Sequence, residues 1–285
     1  MGKPSKECLL ETCLAVDFGL TNLDVVIVEG EEHRYASFPS GTADARLRLE
    51  SLIEELKLDP HRLAWIATTG GRYRQLPAML GNTPLVGITE MDAIGRGGLH
   101  LAKKTQALVV SAGTGTAMIA ARPERCSHVT GSAVGGGTLL GLGRLLLGTV
   151  DPWKIDALAQ DGDANRADLT LIEATGGQVG KLPLDANAVN FGRLARQEVD
   201  LRPQDTAAAL VRLVGQVIAV IAINAARSEG LDDIVVIGRL VVLPTVCKVL
   251  KTVAGYYQAS ITITQDAGFG TALGALITCQ QRQFR

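Results

Sequence analysis

The sequence predicts an α/β fold with two related halves, and three observations carry that prediction. An antiparallel ribbon of apolar strands begins the chain. Strands and helices alternate after residue 230. Apolar strands end in small, hydroxyl-bearing turns at Asp17-Phe-Gly-Leu-Thr21 and Ser111-Ala-Gly-Thr-Gly-Thr116, and a further glycine cluster from Gly131 to Gly143 precedes a helix-like stretch. Turns of this kind present backbone N–H groups and hydroxyls to a phosphate, which points to a nucleotide-handling enzyme.

The elements follow in order. Residues 13–17 and 23–29 read as strands joined by a turn at 19–22, and residues 33–38 as a third strand. Residues 44–57 carry apolar side chains at 47, 49, 52, 53 and 56, a helical spacing. Leu63 to Thr68 is a strand ending in Thr68-Thr-Gly-Gly71, and a short strand near 85–88 leads to the capped helix entry Thr89-Glu-Met-Asp-Ala-Ile. Residues 106–111 and 117–121 form a hairpin around Gly113-Thr-Gly-Thr116, and a short turn near 122–126 leads to the second glycine cluster. Helices are expected over 137–147 and 151–160. Residues 161–206 read as an irregular excursion, either a contact region or a surface insertion. A helix over 207–228, a strand at 234–237 ending at Gly238, a helix over 243–254, a strand at 260–264 and a last helix over 270–280 complete the chain. No obvious sequence repeat ties the halves together.

Composition narrows the class. The 285 residues are 47% apolar and 20% charged with a formal net charge of −1, which fits a soluble globular chain and makes no electrostatic case for nucleic acid. Cysteines at 8, 13, 126, 247 and 279 form no CxxC pair, and histidines at 33, 61, 100 and 128 make no metal motif. The N-terminal residues lack a signal-like apolar run, and the apolar stretch at 208–226 is interrupted by Arg212, Gln216 and Asn224, so it reads as a core helix rather than a membrane span. A cytoplasmic protein with no membrane partner is expected.

Several residues can carry chemistry. Asp17 ends the first strand beside a glycine turn, where it can hold magnesium through water or simply cap the turn. Gly19, Leu20 and Thr21 then form a phosphate turn. Glu90 stands at a helix entry, either as the base that takes the proton of an attacking hydroxyl or as an acid complementing the helix dipole. Thr114 and Thr116 can donate hydroxyls to substrate or phosphate, or serve local turn geometry. Gly135, Gly136 and Gly137 can bring backbone N–H groups to ATP phosphates, or pack the helix tightly. Three successive glycines carry an entropic cost that argues for a special backbone path. Gly238, Gly268 and Gly270 offer close approach at strand and helix ends. Asp92 can support Glu90 or act as a solvated helix acid.

These residues together resemble the type II pantothenate kinases of the acetate kinase, sugar kinase, heat-shock protein 70 and actin superfamily. The supports are Asp17-Phe-Gly-Leu-Thr21, Thr69-Gly-Gly71, Glu90-Met-Asp92, Gly113-Thr-Gly-Thr116, Val129-Thr-Gly131, Gly135-Gly-Gly-Thr-Leu139 and Val235-Val-Ile-Gly238. The resemblance implies an actin-like ATPase fold, with two related lobes of mixed sheet, 1–110 and 111–285, around a nucleotide cleft. It implies a homodimer that uses ATP and Mg2+ to phosphorylate pantothenate at the start of coenzyme A synthesis. Glu90 maps to the catalytic base, Asp17 to the metal-linked acid, and Thr114 to a position near pantothenate. Two positions depart from the family. Asp24 stands where a lysine is usual. His128 replaces an arginine that grips the pantothenate carboxylate, and it lacks arginine's two-pronged fork. These departures keep two alternatives open: a kinase for another small hydroxylated acid or sugar, and a catalytically weak nucleotide-binding regulatory protein.

Overall fold

The structure, a computed structural model, describes residues 12–283. Cys8 and the N-terminal segment considered above lie outside the described residues. The chain divides into two compact units, one comprising residues up to 93 together with 271 onward, the other residues 94–270.

In the first unit, β1 (Thr12–Phe18), β2 (Asn22–Glu29) and β3 (Glu32–Pro39) form an antiparallel meander. Helix α1 (Ala45–Glu55) follows, started by the Asp44 carboxylate, which accepts the N–H groups of Arg46 and Leu47 at 2.8 and 3.4 Å. Next come β4 (Leu63–Gly70), β5 (Met79–Leu80) and β6 (Thr83–Gly87), and the sheet runs β3-β2-β1-β4-β6-β5 with β4 parallel to both β1 and β6. Leu14, Val16, Leu23 and Val25 from the strands pack with Leu49, Leu52 and Ile53 of α1 to make its core. Helix α2 (Glu90–Ala102) begins in this unit.

In the second unit, β7 (Ala107–Ala112), β8 (Thr116–Ala121) and β9 (Cys126–Ser132) repeat the antiparallel meander. After them come α3 (Gly136–Leu147), α4 (Pro152–Gln160), β10 (Leu169–Thr170), α5 (Leu171–Thr175), β11 (Asn187–Val189), α6 (Pro203–Ser228), β12 (Asp233–Ile237), α7 (Pro244–Tyr256) and β13 (Ser260–Thr262). The last helix, α8 (Gly270–Gln283), returns to the first unit from Thr271. The second sheet runs β13-β12-β7-β8-β9, with β12 parallel to both β7 and β13. Each sheet therefore contains a three-stranded meander with two parallel strands added beside its first strand, and the first sheet carries the short β5 as a further, antiparallel edge strand. The relation between the halves lies in this topology rather than in the residues.

Helix α6 is long and apolar enough to cross a membrane by length and composition alone. It is instead a core helix of the second unit, packed against α3, α4, α7 and the sheet, with Leu210, Val214, Ile218 and Ala222 buried. Pro203 at its first position starts it before the expected residue 207. Strand β9 was expected only as the approach to a glycine cluster, after a turn at 122–126; that turn is present, closed by the Arg122 N–H to the Arg125 carbonyl at 3.0 Å, and the strand follows it. The expected lobe limits, 1–110 and 111–285, place α2 and α8 differently from the compact units. Arg282 of α8 lies 3.9 Å from Asp92 of α2, and Cys279 of α8 is within electrostatic reach of Cys13 on β1, which ties that helix to the first unit.

Candidate active site

In the first unit, strand register builds a polar row. Ser37 on β3 pairs with Asp24 on β2, Asp24 with Asp17 on β1, and Asp17 with Thr69 on β4. Residues in register on neighbouring strands share a sheet face, so these four side chains stand side by side. Ser37 donates its hydroxyl to Asp24 Oδ1 at 2.7 Å. Thr69 is 0% exposed and its Oγ1 has no hydrogen-bond partner. Burial, then the charges of Asp24 and Glu90, push the Asp17 carboxyl up to about 8. Near neutral pH it therefore keeps a proton until positive charge replaces it. Asp24 thus turns toward Asp17 rather than away along the strand.

Gly70 closes this row. Its φ is +86°, and a Cβ there would overlap the Asp17 carboxylate and come within 2.7 Å of the Phe18 N and O atoms. The turn after β1 is pinned by Ser40, whose hydroxyl donates to the Gly19 carbonyl at 2.6 Å and whose N–H donates to the Thr21 carbonyl at 3.0 Å. Leu20 projects at 78% exposure and Thr21 is exposed, so the turn faces solvent while its carbonyls are tied down. Glu90 is the first residue of α2, exposed, and close enough to Asp17 for its charge to act there. Asp92 serves the helix start: its N–H donates to Thr89 Oγ1 at 3.2 Å, and its carboxylate accepts the Thr89 hydroxyl at 2.7 Å.

In the second unit, the two glycine clusters meet. The Gly136 N–H donates to the Gly113 carbonyl and the Gly137 N–H to the Thr114 carbonyl, both at 2.8 Å. The Gly135 N–H donates to Thr138 Oγ1 at 3.3 Å. The expected role of these glycines as free amide donors to phosphate needs correcting. Each N–H already has an internal acceptor, and the glycines instead allow contact: a Cβ on Gly135 would lie 2.7 Å from the Thr114 carbonyl oxygen, and one on Gly137 would lie 2.8 Å from Thr114 Cγ2. Thr116 is buried and donates its hydroxyl proton to the Val134 carbonyl at 2.8 Å, so it enters any site as an acceptor rather than the expected donor. Thr114 is half-buried on the turn. His128 is exposed on β9, its Nε2 3.8 Å from the Cβ position of Gly131.

Gly238 ends β12 at φ +103°, and a Cβ there would lie 2.6 Å from the Ala112 carbonyl oxygen at the end of β7. It corresponds to Gly70: in both units the parallel strand beside the first ends in a positive-φ glycine pressed on the first strand's end. The Thr68–Gly71 segment reads in the sequence as a sharp turn or a ligand-facing loop without separate roles for Thr69 and Gly70, and the matching Gly238 is the signal for Gly70. A cavity of about 610 Å³ between α4, α6, α7 and the 160–187 segment contains none of the expected site residues.

The first unit's row can hold a hard cation, since it offers carboxylates and an unmatched hydroxyl, and its exposed Glu90 can reach an acceptor hydroxyl. Comparison with known proteins bears on the family and the fold. The Fumble family model matches residues 100–278. A type II pantothenate kinase of Bacillus cereus is 29% identical over 224 residues, covering 74% of this chain and 79% of that protein. Another from Bacillus cereus is 25% identical over 281 residues, covering 94% and 98%. One from Oceanobacillus iheyensis is 29% identical over 242 residues, covering 81% and 88%. Among solved structures, the activator of the 2-hydroxyisocaproyl-CoA dehydratase from Clostridium difficile, with bound ADPNP, superposes with a TM-score of 0.65 at 14% identity, covering 96% of this chain and 97% of that one. The ROK hexokinase from Thermus thermophilus gives 0.53 at 13% identity, covering 95% and 99%. These structural likenesses show the fold, an actin-like ATPase fold with two lobes of mixed sheet. The family match and the consistent naming of the relatives lead to one assignment: the chain belongs to the Fumble family and is a type II pantothenate kinase-like phosphotransferase.

Proposed function

We propose that this protein transfers the γ-phosphoryl group of ATP to pantothenate, giving phosphopantothenate for coenzyme A synthesis. The observation that supports it most is the end of β1, where Asp17 stands between a second acid and an orphaned hydroxyl beside a pinned glycine turn. When bound, magnesium–ATP supplies the phosphoryl group and the cation that offsets its charge. Asp17 orients that cation, and the Gly19–Thr21 turn faces the phosphates. Glu90, exposed at the start of α2, accepts the proton of the attacking hydroxyl.

In the second unit, Gly135 to Gly137 and Gly238 contribute by close packing: they let α3 seat on the Gly113–Thr114 turn and the end of β12 seat on Ala112, which shapes the backbone surface offered to the nucleotide. Thr114 and Thr116 meet the acceptor, and His128 takes its carboxylate. A cytoplasmic homodimer belongs to this reading. Among the described residues, Cys247 and Cys279 are thiols outside any disulfide, as a reducing compartment favours, and Leu145, Leu146, Val150 and Trp153 are exposed apolar side chains that a second copy can cover.

The experiment is direct. Purified protein with magnesium, ATP and a panel of acceptors is assayed for ADP release, with the product identified by mass. Pantothenate is expected to be phosphorylated. Absence of product from folded, magnesium-replete protein overturns the substrate. His128 favours a second reading, since an exposed imidazole grips a carboxylate less firmly than an arginine fork. A neutral polyol or another hydroxy acid turned over faster than pantothenate would establish it.

A further inference from the structure

We propose that the groove between α6 and α7 is a second small-molecule site, separate from the phosphotransfer residues, and that it takes an elongated organic anion with an apolar body. The inference goes beyond the phosphotransferase reading and does not depend on it.

The cavity lies wholly within the second unit and encloses about 610 Å³, the size of a site for a small organic ligand. Two helix faces make its long walls. Arg212, Gln216 and Val220 line it from α6, and Lys248, Thr252 and Tyr256 from α7. Each set recurs every four residues, so each is a single helix face. Lys248 to Tyr256 spans about 12 Å along α7, which calls for an elongated occupant.

The walls are tied together. Asp156 of α4 accepts the Thr245 N–H at the head of α7 at 3.0 Å. Asp205 of α6 accepts the Asp163 N–H at 2.9 Å. Gln216 Nε2 donates to the Asn187 carbonyl at 3.3 Å, and Asn187 Nδ2 donates to Gln216 Oε1 at 2.8 Å. The space is therefore preformed, and a ligand need not order its walls on entry.

The lining groups name the ligand's chemistry. Val211 and Val253 are buried in the wall and Val220 and Val249 half-buried, so the middle of the groove suits an apolar body. Arg212 is already engaged, by Asn165 Oδ1 at 2.6 Å and Asp168 at 3.4 Å. Lys248 is exposed and forms no ion pair among the described residues, so it is the cation left for an anionic group. Of the two lining acids, Asp163 accepts the Asn165 N–H at 2.9 Å, and Asp185 acts on Tyr256. Burial, then the charge of Asp185, push the Tyr256 hydroxyl up, which keeps it a donor at that end. The anionic end of the ligand thus belongs at Lys248. In the same lining, Asn187 Oδ1 is buried without a hydrogen-bond partner, an acceptor that a ligand N–H or O–H would satisfy.

The test uses the full chain and anilinonaphthalene sulfonate, an apolar anion with one N–H donor, followed by fluorescence and calorimetry. One saturable site per chain is expected, unmoved by saturating magnesium–ATP. Lys248→Gln should weaken it about tenfold, while Lys251→Gln, exposed on α7 outside the cavity, should stay within about twofold of the parent. Thr252→Trp fills the groove from an exposed position and should abolish binding. Circular dichroism checks that each variant is folded. Phenylbutyrate should displace the dye at least about tenfold better than phenylbutyramide or phenylbutylamine.

Absence of a saturable site overturns the proposal, as does displacement of the dye by magnesium–ATP, which would place it in the nucleotide site. Undiminished binding by Lys248→Gln or Thr252→Trp, or preference for the amine, does the same. None of these readouts needs turnover. Dye binding without pantothenate phosphorylation would keep this site and sink the kinase reading, and the converse would sink only the site.

Discussion

Replacing Asp17 with asparagine removes a carboxyl that the fold keeps protonated where a free one would ionise. Its ordinary value is 3.8, and burial with Asp24 and Glu90 raises it to about 8. Below about pH 4 the group is protonated in both folded and unfolded chains and makes no difference. Between about pH 4 and 8 the unfolded chain has lost this proton and the folded chain has kept it. Stability therefore falls as pH rises through that window and levels off above the folded value. One proton corresponds to about 1.4 kcal/mol per pH unit, so a full shift gives about 4 kcal/mol between pH 5 and 8. Asp17 is only half-buried, and solvent reduces this to roughly 2–4 kcal/mol. The assay is urea unfolding of the parent and Asp17→Asn in chelator at pH 5, 6, 7 and 8. The variant should gain on the parent steadily with pH, and saturating magnesium with nucleotide should shrink the gap at pH 8. Two curves that stay parallel across the range would refute a raised Asp17 and with it the electrostatic account of the row.

Three further outcomes are expected. Glu90→Gln should cut single-turnover phosphoryl transfer by about 10²–10⁴ while nucleotide affinity, read by calorimetry, changes little; unchanged turnover would remove Glu90 from the base role. Gly238→Ala should cost about 3 kcal/mol in urea unfolding, because its φ is +103° and the new Cβ meets the Ala112 carbonyl at 2.6 Å. Gly41→Ala, at φ +64° with nothing within 4 Å, should cost only about 1 kcal/mol. Asp205→Ala should lose about 2–3 kcal/mol at pH 7, since the buried carboxylate accepts the Asp163 N–H at 2.9 Å and two Arg202 N–H groups at 3.0 and 2.7 Å. Those bonds lower its pKa to about 2, so its contribution is present above about pH 4 and lost as pH falls toward 2. The variant and parent should accordingly converge in acid.

The strands with dense β-branched runs and the helices with marked starts were legible in the sequence, because their cause is local. Asp44 and Asp151 cap α1 and α4, and valines and isoleucines fill β2. Strand β9 was not legible: Cys126-Ser-His-Val-Thr-Gly-Ser132 shows neither clean alternation nor an apolar run, and it is held as an edge strand by β8. The site divides in the same way. Asp17 and its glycine turn announce themselves as a strand end. The unmatched hydroxyl of Thr69 depends on the register of β1 with β4, which no local pattern encodes. The amides of Gly136 and Gly137 likewise looked available until the packing of α3 on the β7–β8 turn gave them acceptors.

That packing has a mechanical consequence. With two amides of its first turn bonded to Gly113 and Thr114, α3 cannot shift at its start without carrying the β7–β8 turn along. The helix is a 12-residue rod, about 18 Å long, and its far end bears the exposed side chains of Leu145 and Leu146. A molecule that presses on the turn therefore moves a lever whose tip is an apolar surface, and whatever covers that surface pushes back on the turn.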